Sequence, residues 1–94
     1  MNLDKAKKRI AKKVKMGFQG YPEISIAYFG QSKDVADEVV VTFVAEDGAA
    51  PMEQRFPGKT DVRDDEVIQS AIVKIIERSE VKTVNMSEDI SFKA

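Results

Sequence analysis

The sequence predicts an α+β fold, a two-layer α-β-β-β-α domain in which a three-stranded antiparallel sheet carries both helices on one face. Three observations predict it. Apolar residues recur at helical spacing near the N-terminus, three strand-like stretches follow between turn residues, and a second helical pattern with an acidic start comes after Pro57-Gly58. Ninety-four residues, 43% of them hydrophobic, suffice for one core but not for two domains of ordinary size. Residues 1–79 are therefore expected to form a single domain, with 80–94 as a C-terminal tail.

Leu3, Ala6, Ile10 and Val14 fall on one side of a helix over 3–16, with Asn2 placed to cap its start and Gly17 to end it. Gln19-Gly20-Tyr21-Pro22 reads as a turn. The alternation of 23–29 then predicts a strand with Ile24, Ile26 and Tyr28 inward. Residues 30–37 are polar and read as a loop. Residues 38–45 are rich in β-branched side chains and apolar on both sides, as expected of a central strand.

Asp47-Gly48 signals a turn, and 52–56 suits an edge strand with Met52 and Phe56 inward and charge outside. Thr60 or Asp61 can cap a second helix whose first turn holds Asp64, Asp65 and Glu66, the charge sign that a helix N-terminus favours. Val67, Ile68, Ala71, Ile72, Ile75 and Ile76 give that helix a wide apolar face. Beyond Ser79 the chain is polar with scattered Val81, Val84, Met86, Ile90 and Phe92. That pattern suits a fourth C-terminal strand, a strap or a flexible tail equally well.

The absence of cysteine and histidine removes disulfides, thiolate metal sites, the cysteine nucleophile, the commonest general base and the commonest zinc ligand. No cofactor is implied, and no spacing of serine, threonine, lysine, tyrosine or carboxylates reads as nucleophile, base and orienting group. The N-terminus is charged without a following apolar region and no apolar run is long enough to span a bilayer, so the expectation is cytoplasmic residence with no membrane contact.

A net charge of -1 hides a strong asymmetry. Residues 1–16 hold seven basic and one acidic residue, whereas 17–94 hold eight basic and fifteen acidic, so a +6 segment faces a -7 remainder. At 100° per residue, Lys5, Lys8, Lys12 and Lys15 fall within a sector of about 80° opposite the apolar stripe, a ridge roughly 15 Å long. Lys7 and Lys13 flank the stripe and Arg9 lies to the side. Lys8 with Lys12 and Arg9 with Lys13 repel at i, i+4, each pair costing the helix a few tenths of a kcal/mol, roughly. Something must offset that repulsion: the molecule's own acids, or an external polyanion such as nucleic acid.

The order helix, three strands, helix resembles the double-stranded RNA-binding domain over 3–78, as do Tyr21-Pro22-Glu23, Asp47-Gly48 and Pro57-Gly58-Lys59-Thr60 at the corresponding turns. The resemblance implies the topology but not the usual activity. Where that family grips phosphates with lysines, this chain has Val62, Arg63, Asp64, Asp65 and Glu66, whose three carboxylates would repel RNA. Gly58-Lys59-Thr60 also ends like a phosphate-binding P-loop, but Glu53 occupies the position of the leading glycine. The acids at 61–66 lack the glycine and alternating ligands of a calcium loop.

If Val39, Val41 and Phe43 face the helices, Val40, Thr42 and Val44 face the other way, where a two-layer domain is normally polar. Such a surface marks an interface or cover by another segment, here the tail through Val81, Val84 or Phe92, or a second copy of the chain. The functional expectation is a small cytoplasmic non-catalytic interaction or regulatory module, homodimeric through Val40, Thr42 and Val44. A nucleic-acid-binding protein using Lys5, Lys8, Lys12 and Lys15 is the alternative, and a small enzyme with a carboxylate or lysine site the second alternative.

Overall fold

The first helix follows from local chemistry. Asn2 accepts the Lys5 amide at 2.9 Å, the helix α1 runs Leu3–Lys15, and Gly17 at φ +72° lets the chain leave it after Met16. The computed structural model describes residues 2–92, with Glu88 in its backbone only. Positions 1, 93 and 94 of the ranges expected above lie outside the described residues. After α1 come β1 (Glu23–Gly30), β2 (Glu38–Val44), β3 (Met52–Pro57), a single 3₁₀ turn (Val62–Asp64), α2 (Glu66–Arg78) and β4 (Thr83–Phe92).

The strands form one sheet in the order β3-β2-β1-β4, antiparallel between β1 and β2 and between β2 and β3. The class is α+β as the sequence predicts, but the sheet is mixed and four-stranded. The C-terminal segment is a full strand that pairs parallel to β1, with Glu23 opposite Thr83 and Tyr28 opposite Ile90. One residue of β1, Ala27, lies between Ile26 and Tyr28 where three of β4 lie between Met86 and Ile90, so β4 bulges around Ser87 and Asp89. This fourth strand lies outside the helix, three strands, helix pattern of the resemblance.

Ala6 and Ile10 of α1, Ile68, Ile72, Val73 and Ile76 of α2, and Ile24, Ile26, Tyr28, Val39, Val41 and Val84 of the sheet make one core. Both helices therefore cover the same face of the sheet. The molecule's thinnest dimension, 19 Å, is that of two layers. Among the described residues no helix is long and apolar enough to cross a membrane.

Several expectations are corrected. Asp61 caps the 3₁₀ turn through the Arg63 amide, and Asp65 caps α2 through the Ile68 amide, so the second helix starts at Glu66. Its buried face is Ile68, Gln69, Ile72, Val73 and Ile76, while Val67 is 78% exposed. The face shifts toward Gln69 because that amide has partners in the core, donating to the Tyr28 hydroxyl at 3.2 Å and the Val62 carbonyl at 3.0 Å. Met52 is exposed at the open end of the edge strand β3, leaving Phe56 alone to reach the core. Ala36 is fully buried within the stretch read as a polar loop, and its carbonyl accepts the Val62 amide at 2.8 Å. Gly58 is a packing glycine, since a Cβ there would meet Val62 Cγ1 at 2.6 Å.

The tail does not cross the second face of the sheet. Val81 and Val84 are buried on the helix side and Phe92 is exposed, because β4 extends the sheet sideways as a parallel strand. Val40 is nevertheless only 4% exposed, and Thr42 and Val44 are half-buried. Arg55 stands opposite Val40 in the β2–β3 ladder, on the same face, and reaches Glu38 at 2.9 Å.

Candidate functional site: the outer face of the first helix

The apolar stripe of α1 anchors the helix, with Ala6 and Ile10 buried and Leu3 and Val14 half-buried, so its opposite face points to solvent. Asp4 lies in the first turn and Lys12, Lys13 and Lys15 in the last, a distribution that suits the helix dipole at both ends.

The molecule's own acids answer the flanks of this helix. Lys7 Nζ lies 2.8 Å from Asp64 Oδ1 in the 3₁₀ turn, and Arg9 lies 3.0 Å from Glu77 of α2. Both pairs are largely exposed and tie α1 to the elements beside it. Among the described residues, Lys5, Lys8, Lys12 and Lys15 make no ion pair within 4.0 Å and no side-chain hydrogen bond. Lys13, on the flank with Lys7, makes none either among the described residues, so the molecule's acids reach only Lys7 and Arg9 of this helix.

The three aspartates of the acidic segment at 61–66 are engaged locally. Asp61 binds Arg63 through both carboxylate oxygens, Asp64 pairs with Lys7, and Asp65 caps α2. The Arg63 guanidinium holds the Asp61 carboxyl down at about 2, well below its ordinary 3.8. Tyr28 is shifted the other way, its hydroxyl pushed up by burial. Among the described residues no group of three or more carboxylates is gathered as a metal site.

The far end of the ridge carries a feature that the sequence reading missed. Met16 and Phe18, immediately past Lys15, are 52% and 62% exposed. The Phe18 ring meets Tyr21 edge to face, with centroids 5.5 Å apart and planes at 75°. An aromatic beyond a helix stop is ordinarily read as core, so only its exposure reveals it. Val40, Thr42 and Val44, the other predicted site, lie on the opposite side of the sheet from α1 and share no surface with the ridge. No family model, curated protein or solved structure matches the chain.

Proposed function

We propose that this protein is a small cytoplasmic non-catalytic interaction module whose binding surface is the outer face of α1, and that its ligand is nucleic acid. One observation carries the reading: among the described residues Lys5, Lys8, Lys12 and Lys15 meet no acid, although the rest of the chain has a charge of -7 and answers Lys7 and Arg9. Like charges held in a row without compensation cost the helix stability, and a line of phosphates offsets that cost by releasing counterions. The ridge is a single file of charge on a rigid element, which suits a linear polyanion.

The test is titration of labelled DNA and RNA at increasing salt. Binding is expected at low salt, with log affinity falling linearly in log salt at a slope near -0.7 to -0.9 for each phosphate neutralised, roughly. Lys8→Glu with Lys12→Glu should abolish it. Absence of binding at low salt, or binding indifferent to that double substitution, would overturn the reading.

A further inference from the structure

We propose that Phe18 extends the lysine ridge into a stacking platform, so that the ligand is single-stranded nucleic acid and not a duplex. The proposal rests on the reading of α1 just given and names its ligand class.

Phe18 is exposed but not loose. The loop that carries it is fastened to β4 at four points: the Gln19 amide donates to Thr83 Oγ1 at 2.8 Å, Thr83 Oγ1 donates to the Gly20 carbonyl at 2.7 Å, and the Lys82 and Thr83 amides donate to the Pro22 carbonyl at 2.9 and 3.3 Å. On the helix side, Gln19 Nε2 donates to the Met16 carbonyl at 2.8 Å. Thr83 is itself 1% exposed, so the loop hangs from the buried start of a strand. Tyr21 then packs edge to face against the Phe18 ring. A large apolar ring is therefore held in water in a defined orientation, which pre-organises it for a partner with a flat apolar face.

Two lysines belong to the segments on either side of that ring. Lys15, the last lysine of the ridge, precedes Phe18 by three positions, and the stem of Lys82 lies over Gly20, its Cδ 3.6 Å from where a Cβ would stand. An exposed aromatic that follows a row of cations along the chain is what a single strand needs: phosphates on the lysines and a base on the ring. A duplex keeps its bases stacked on one another and offers the ring nothing. The exposed pair Met16 and Phe18 beside lysines also resembles an interfacial membrane contact. Against that stand the single-file charges, which suit a strand better than a plane of headgroups, and an apolar tip of only two side chains.

The experiment compares a short labelled oligothymidylate, the duplex of the same length and phosphatidylserine vesicles at low salt, using the full chain, Phe18→Ala, Phe18→Tyr and Lys8→Glu with Lys12→Glu. Single strand should bind more tightly than duplex. Phe18→Ala should weaken single-strand binding about five- to a hundredfold and leave duplex binding unchanged, while Phe18→Tyr should retain it. The double charge reversal should remove both. Equal affinity of wild type and Phe18→Ala for the single strand, or a duplex bound as well as the single strand, overturns the platform and leaves the ridge reading standing. Vesicle binding without nucleic-acid binding overturns both. Phe18 is on the surface, so its variants should keep the fold, and circular dichroism checks that they do.

Discussion

Lys7 Nζ and Asp64 Oδ1 stand 2.8 Å apart, joining the first helix to the turn before the second. The pair is largely exposed, so its contribution is expected to be small, about 0.2–1 kcal/mol. Lys7→Glu should lower stability by that amount or somewhat more, since two carboxylates would then face each other. Lys8→Glu with Lys12→Glu should leave stability at low salt unchanged or raise it by a few tenths of a kcal/mol, roughly, because the two new carboxylates still repel each other but gain opposite charges at i, i+3 in Lys5, Arg9 and Lys15. Thermal melts at low and high salt compare them. A loss from the double variant matching that from Lys7→Glu would show that the ridge is paired within the molecule after all.

Gly30 ends β1 where the following loop folds back. A Cβ there would lie 2.2 Å from the Val35 carbonyl oxygen and 3.3 Å from Ile90 Cγ2. The closer neighbour is backbone and cannot swing aside, so Gly30→Ala is expected to cost about 1–3 kcal/mol in urea unfolding. A variant as stable as the wild type would show that the loop at 31–37 moves freely.

Asp61 sets an acid response. Its folded-state carboxyl is held down at about 2 against an ordinary 3.8, so its stabilising contribution is complete above the ordinary value and is lost as pH falls through the folded one. After discounting for solvent screening, the contribution is on the order of 1 kcal/mol. Asp61→Asn keeps an acceptor for the Arg63 amide but not the charge. The stability gap between wild type and this variant should be constant near neutrality and close between about pH 4 and pH 2, as measured by urea unfolding. A gap independent of pH would remove the ion pair as its cause.

The second face of the sheet predicts the oligomeric state. It carries Glu23, Glu38 and Glu53 against Arg55, with Arg55 engaged by Glu38 at 2.9 Å and lying within 3.8 Å of Glu53. A two-fold pairing of these faces would bring carboxylates together, and Val40 is already covered. Sedimentation should therefore show a monomer in place of the homodimer expected from the alternation of β2. A dimer dissociated by Val40→Arg would restore that interface.

What could be read in advance follows the range of the forces involved. The cap at Asn2, the stripe of α1, the stop at Gly17 and the inward residues of β1 depend on neighbours a few positions away, and they stand where the sequence puts them. The buried amide of Gln69 was illegible because its partners, Tyr28 and Val62, meet it only in the fold. The parallel pairing of β4 was illegible because its alternation is broken by the bulge and its partner lies far back in the chain. For the candidate site, the helical wheel separated Lys5, Lys8, Lys12 and Lys15 from the flanking Lys7. It could not tell which of them the acids of 61–77 would reach, since that depends on how α1 lies beside α2.

The β1–β4 ladder has a consequence in time. Glu23 must wait for Thr83, roughly 60 residues later, whereas the hairpins on its other side form from near neighbours, so the parallel strand is expected to join last. Until it does, Thr83 and Lys82 are not in place to hold the loop bearing Phe18, and α1, short and self-repelling, stands against α2 without the strand beside it. A partly made chain would expose its lysines without arranging them. On the proposed reading of α1, a molecule lacking its last strand would compete poorly with a finished one for the same ligand.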